Sequence, residues 1–395
     1  MKSFTPKSLI ALISLAISAF AIGTTEFVIV GLLPTVASDL SISVTKAGSL
    51  VSGYAAAIAI GTPIVTAMTS RLPKKGLLLS LLIIFIAGNI LSSFADTYQL
   101  LLLSRILTAV AHGVFFAIAA TVATEMVPKD KQAQAISIMF TGLTVATILG
   151  VPFGTLIGQQ LGWRATFLAV AVLGIIGLIA NSVTIEKQKN TSEKLTVSDI
   201  GKLIRNPRII LALLMTSFGF GGTFAIFTYI TPILEEVSGI SNENIFWMLL
   251  LYGLATTVGN IIGGKMTNQH PVKGLRFVFL FQMTALLLQI ILLPNQLLSY
   301  ISVLLLGLFA FMMSPGVQAY IVALAEKLVP SAKDLASALN ISGFNIGITA
   351  GSALGGYALD YMNLLDTAWI GAIMVFVALI LAIVNYRLDV KQKLF

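Results

Sequence analysis

Glu26 is the one acidic residue inside the first long apolar run of the chain, in Phe20-Ala21-Ile22-Gly23-Thr24-Thr25-Glu26-Phe27-Val28-Ile29-Val30. An acidic group at the centre of a membrane helix costs about 2.5–3.5 kcal/mol to insert, so such residues face a cavity, pair with a cation or carry protons. A later apolar run holds Arg105 and His112, seven residues apart. Seven helical residues make two turns, about 10 Å, which places both on one stripe with Thr108, Ala109 and Phe116. Imidazole there suits a proton relay or a substrate contact; a histidine hydrogen-bonded inside a bundle fits the same residue. With zero cysteines, disulfides, thiol catalysis and Cys-based metal sites are excluded, and two histidines make a poor metal site. The deep polar residues form no Asp pair, Ser/His or Ser/Lys set, so a membrane enzyme or sensor is disfavoured, and no cofactor or metal is called for.

Composition sets these residues in lipid. With 57% hydrophobic and 10% charged residues, the chain reads as an all-α polytopic membrane protein rather than a soluble domain. About 20 apolar residues cross the hydrocarbon core, and the breaks leave room for twelve spans, near 8–33, 46–68, 77–95, 101–127, 133–158, 165–185, 208–233, 244–266, 276–294, 299–327, 335–361 and 367–387. The runs are long and continuous, unlike the short alternating segments of a barrel. Lys2 and Lys7 before the first run resemble a secretory signal, but the run is too long and is read as a retained span. The net charge of +8 is a topology signal, not a nucleic-acid footprint. Lys and Arg crowd the loops of one side, while the other side holds only Lys46 and Arg164. The positive-inside rule then makes the crowded side cytoplasmic, with both termini on it, in a multi-pass protein of the cell's cytoplasmic (inner) membrane. The expected partners are lipid, protons and a small-molecule substrate, with the protein a monomer.

The polar stretch 186–207 divides the chain into six-helix bundles 1–185 and 208–395, with a cytoplasmic linker between them. An offset of 198 residues pairs Phe20 with Phe218, Gly23 with Gly221, Pro34 with Pro232, Tyr54 with Tyr252, Pro73 with Pro271 and Lys75 with Lys273. Shared Pro, Gly, Tyr and Lys carry weight where Leu and Ile identities do not. Parallel repeats of this kind belong to alternating-access transporters with a substrate site between the halves. Gly142, Ala146, Gly150 and Gly154, and likewise Gly343, Gly347 and Gly351, recur every four residues. Such stripes let backbones approach closely, in ordinary packing or, given their placement in both halves, at a moving interface.

Gly23-Thr24-Thr25-Glu26-Phe27, Gly31-Leu32-Leu33-Pro34, Ser104-Arg105, Ala111-His112-Gly113, Leu149-Gly150-Val151-Pro152-Phe153-Gly154-Thr155 and Gly162-Trp163-Arg164-Ala165-Thr166-Phe167 together resemble the major facilitator superfamily. Within it they are similar to the twelve-span drug/proton antiporter family, in the branch with sugar, arabinose and purine-nucleoside exporters. The resemblance covers nearly the whole chain. It implies proton-driven export of sugar-, nucleoside- or drug-like molecules; a proton-independent facilitator, or an importer of a small polar solute, is the alternative. It also implies that the first and fourth spans flank a central cavity, so that Glu26 and Arg105 meet or share water. An apolar setting favours the neutral acid and a nearby guanidinium the carboxylate, which suits Glu26 to proton coupling with Arg105 and His112. A permanent Glu26–Arg105 strut is the competing reading.

The family's loop motif after the second span is degraded to Arg71, Lys74 and Lys75, with Ser70 and Pro73 at positions the family fills with Asp and Gly. Those cations either gate the cytoplasmic side or only set topology. On the fifth span, Gly150, Pro152 and Gly154 mark a hinge or a fixed kink. The second half shows no charge deep in any span. Its amides and aromatics suit a neutral or amphipathic solute with hydroxyl or ring-nitrogen groups. Asn340, Asn345, Gln318 and Tyr229, with Phe116 from the first half, are the candidate substrate contacts.

Overall fold

A computed structural model describes residues 5–69, 72–128, 132–186, 205–267, 270–329 and 333–392, with 201 and 203. Every described element is helical. In hydrocarbon no water satisfies backbone N–H and C=O groups, so long apolar runs must close their hydrogen bonds within helices. The first half holds α1 (Pro6–Asp39), α2 (Val44–Thr69), α3 (Lys74–Ser93), α4 (Tyr98–Glu125), α5 (Gln132–Val145), a π turn (Ala146–Gly150), α6 (Val151–Leu161) and α7 (Trp163–Thr184). The second holds α8 (Pro207–Phe227), α9 (Ile230–Glu236), α10 (Asn242–Thr267), α11 (Pro271–Leu292), α12 (Gln296–Ala310), α13 (Ser314–Leu328), α14 (Lys333–Tyr361) and α15 (Asp366–Gln392). Taking broken helices together, eleven among the described residues are long and apolar enough to cross a membrane, and α14, with 29 residues, has the length of a twelfth. Local starts follow ordinary capping: the Thr5 and Thr97 hydroxyls accept from Ser8 and Leu100 N–H, and the Asn206 and Asn295 side chains cap α8 and α12.

The chain folds into two compact units, Met1–Ser192 and Glu193–Phe395. In the first, α1 packs on α5, α6 and α7, α3 on α4 and α7, and α2 on α4. In the second, α8 packs on α14 and α15, α11 on α15, and α10 on α12. Each unit is apolar outside as well as inside. Ile60, Val183, Ile291 and Leu297 are exposed, which would be an aggregation liability in water and is a lipid-facing surface in a bilayer.

Proline accounts for three interruptions. It lacks an N–H and its ring presses on the carbonyl four residues earlier. For Pro232 that residue is Thr228, where α8 ends; for Pro315 it is Phe311, where α12 ends; for Pro152 it is Ile148, inside the π turn. The seventh and tenth spans, expected as continuous, are therefore broken. Pro34 and Pro63 lie within unbroken helices.

The glycine stripes pack inside the units. A methyl on Gly142 would overlap the Ala16 carbonyl, and on Gly150, Gly154 and Gly158 it would strike Thr24, Val28 and Leu32 of α1. In the second unit Gly347, Gly351 and Gly355 lie against the backbone carbonyls of Ser217, Gly221 and Ala225 in α8. These seams join helices of one half, where the sequence left open a moving interface.

The second half also buries a charged pair at the ends of two of its helices. Arg208, at the start of α8, and Asp389, near the end of α15, are 7% and 4% exposed. Their side chains pair directly, and Tyr320 joins them, its hydroxyl accepting from Arg208 at 2.9 Å and lying 3.2 Å from Asn385 Oδ1. The spans are longer than their apolar cores, so charged residues one turn beyond a core still enter the packed bundle.

Candidate functional site

The polar centre of the first half is assembled by α1, α2, α3 and α4. Glu26 is half-buried on α1, and its carboxylate makes no hydrogen bond or ion pair among the described residues. Arg105, on α4, is fully buried. Its guanidinium does not clasp the Glu26 carboxylate. One terminal nitrogen donates to the Thr25 backbone carbonyl and the other to that of Glu26 at 3.4 Å. Thr25 in turn donates to Asn89 Oδ1 at 2.6 Å, and Asn89 Nδ2 to the Phe85 carbonyl at 2.9 Å. Arg105 thus meets Glu26 through the main chain, while its charge lies 4.2 Å from the centre of the Tyr54 ring.

Tyr54 extends the row. From α2 its hydroxyl lies 3.1 Å from His112 Nδ1. His112 packs at 5.0 Å on Phe116, whose ring stacks on Phe140 at 5.3 Å. Arg105, Tyr54, His112 and Phe116 therefore form one continuous line. Phe116 is 5% exposed and serves largely as packing. The sequence stripe contained Arg105, His112 and Phe116 but missed Tyr54, because a helix pattern shows only residues of its own helix. The match of Tyr54 with Tyr252 in the repeat was the available signal.

Of the candidate gate cations, Lys74 pairs with Glu125, and Lys75 donates to the Ser182 carbonyl at 2.8 Å. Both cations tie helices within the first half. Arg71 and most of the 186–207 segment lie outside the described residues. Gly150 closes the π turn and Pro152 opens α6, with Gly154 one turn on against Val28.

In the second half the three candidate amides divide. Asn340 accepts from Thr216 at 2.8 Å and donates to Gln318 at 2.7 Å, and Gln318 donates to Ser337 at 2.6 Å. This chain ties α8, α13 and α14 together and leaves Asn340 committed to protein. Asn345 differs. Its Nδ2 donates to the Ile341 carbonyl at 3.0 Å, but its Oδ1 is buried without a partner among the described residues. Tyr229 sits at the α8–α9 break and donates to the Ser352 carbonyl at 3.1 Å, which holds α8 to α14. Phe220 of α8 packs on Phe344 of α14 at 4.4 Å and on Phe311 at the α12–α13 break at 5.6 Å.

Comparison with known proteins agrees with this architecture. A family model described as Major Facilitator Superfamily matches residues 15–328. Bacillus subtilis YtbD, an uncharacterized MFS-type transporter, is 49% identical over 381 residues, 96% of each chain. The Escherichia coli K12 inner membrane transport protein YdhP is 36% identical over 377 residues, 95% of this chain and 96% of YdhP. A solved bacterial homolog to the human lysosomal transporter Spinster, in an inward-facing and occupied conformation, is 16% identical with a TM-score of 0.75 over 98% of each chain, a likeness of fold.

Proposed function

We propose, from the premise that the chain belongs to the major facilitator superfamily, that it is a proton-coupled exporter of small organic molecules working by alternating access. The six-helix bundles 1–185 and 208–395 are its two working parts. Membrane transport itself follows from the family. Export is carried over from the resemblance, and coupling is read from one observation: Glu26, half-buried in the middle of α1, keeps a carboxylate free of any ion pair or hydrogen bond among the described residues. The nearby cation is held by backbone carbonyls and an aromatic face instead. A carboxylate placed this way is suited to take up and release protons rather than to brace helices.

In the proposed cycle Glu26 takes a proton on the outside, releases it on the inside, and binds solute preferentially when deprotonated. Arg105 keeps positive charge at the same depth throughout. In the first unit His112 offers a polar contact to solute and Phe116 a wall; in the second, Asn345 offers a polar contact and Asn340, Gln318 and Tyr229 the walls. The Gly150-Pro152-Gly154 turn supplies the hinge, and Arg71, Lys74 and Lys75 the cytoplasmic gate. The protein acts as a monomer in the cytoplasmic membrane with both termini inside, and performs no chemical conversion. Flux of labelled sugars, nucleosides and hydrophobic cations from proteoliposomes, with and without an imposed pH gradient, tests this. Accumulation that follows the gradient supports the reading, and flux indifferent to it rules coupling out.

A further inference from the structure

Between Arg105 and His112 stands a tyrosine whose only hydroxyl partner among the described residues is an imidazole nitrogen. Tyr54 is 1% exposed, its ring lies 4.2 Å below the Arg105 guanidinium, and its hydroxyl is 3.1 Å from His112 Nδ1. We propose that Tyr54 is a positioning residue that holds His112 as the tautomer protonated on Nε2, so that the imidazole serves as a fixed hydrogen-bond donor rather than a relay; this rests on the transporter reading above.

The assignment follows from hydrogen-bond supply. The Tyr54 O–H must find an acceptor, since a buried donor without one loses its full hydration. His112 Nδ1 is the acceptor at hand. Were Nδ1 to carry the proton and donate instead, the phenolic hydrogen would be left buried with nothing to bond. A cation above the ring draws electron density from the phenol and strengthens its O–H as a donor, which favours the same direction. With its Nδ1 lone pair occupied, a neutral ring carries its hydrogen on Nε2.

Nε2 makes no hydrogen bond among the described residues, and His112 keeps 8% of its surface exposed. One edge of the imidazole is thus committed to Tyr54 and the other is available beside the Phe116 and Phe140 rings. A relay must pass a proton in at one nitrogen and out at the other, and the Tyr54 hydroxyl on Nδ1 has no onward partner among the described residues; a fixed donor instead selects. The solute that meets this edge is one with a carbonyl or ring-nitrogen acceptor, and the flanking rings favour a flat one.

The test needs no substrate. The chain has two histidines, so in a His270→Gln background ¹⁵N-labelled histidine reports His112 alone. In the reconstituted protein at pH 7.5, the two-bond ¹⁵N–¹H pattern is expected to show the Nε2–H tautomer in excess by about tenfold or more. Tyr54→Phe keeps the ring under Arg105 but removes the O–H, and is expected to lower that ratio by about tenfold. An Nδ1–H form or an imidazolium in the His270→Gln protein overturns the proposal, and so does an unchanged ratio in Tyr54→Phe. If Tyr54→Phe fails to fold, the spectrum with Tyr54 present still decides. Glu26→Gln is expected to leave the pattern as it is, which separates this outcome from any failure of the coupling reading.

Discussion

Tyr54 and Tyr252 occupy the same position in the two halves of the repeat, yet their surroundings are opposite. Tyr54 lies beneath a buried guanidinium and bonds an imidazole. Tyr252 stacks flat on Phe227, centroids 4.3 Å apart, and its hydroxyl is buried without a partner among the described residues. One backbone plan has thus been filled with ionisable groups in one half and with amides and aromatics in the other. The buried charges of the second half, Arg208 and Asp389, are paired with each other, whereas the Glu26 carboxylate has no ion pair among the described residues. Equivalent helices thus carry different side chains: an unpaired carboxylate, a guanidinium and an imidazole in the first half, and amides, aromatics and a paired Arg208–Asp389 in the second.

That division predicts a double dissociation, which is the largest effect expected. Glu26→Gln should abolish gradient-driven accumulation in proteoliposomes while solute still binds. Asn345→Ala should weaken binding and leave the gradient dependence intact. If the two phenotypes exchange, or merge, the contrast between the halves is wrong.

Next in size is stability. Asp389→Ala leaves Arg208 buried without its partner and should cost about 3–5 kcal/mol, seen as a lower unfolding midpoint in detergent. The double variant Arg208→Met/Asp389→Leu should recover most of it, because the cost lies in the orphaned charge. Recovery that fails would mean the pair has a role beyond bracing. Asn340→Ala breaks the Thr216–Asn340–Gln318 chain and should cost about 1–3 kcal/mol; a variant that is fully stable but unable to bind solute would move Asn340 from wall to contact. The smallest effect belongs to Lys75→Ala, within about 0.5 kcal/mol for a half-buried lysine whose one hydrogen bond is at the surface. Transport lost without a stability change would give that lysine a gating role.

Much of this was legible from hydropathy and charge, for concrete reasons. Glu26, Arg105 and His112 stand out because ionisable groups in apolar runs are costly and therefore rare. Helix breaks were less legible, since Pro34 and Pro63 sit in unbroken helices while Pro152, Pro232 and Pro315 coincide with interruptions. The Arg208–Asp389 pair joins residues 181 apart, and each looks locally like part of a charged end. Tyr54 is apolar enough to pass as packing. What linear patterns cannot show is which residue of a neighbouring helix answers a given side chain, and both missed features are answers of that kind.

The seam between α1 and the helix opposite it runs at one constant register: Ala16 against Gly142, Thr24 against Gly150, Val28 against Gly154 and Leu32 against Gly158. The contacts recur at multiples of four residues, so α1 fits its neighbour in steps of about 6 Å along its axis. Glu26 follows Thr24 by two residues and so points about 200° away from that seam. The seam therefore works as a ruler at the back of the carboxylate. The height of Glu26 in its bundle is a discrete quantity, one notch or the next.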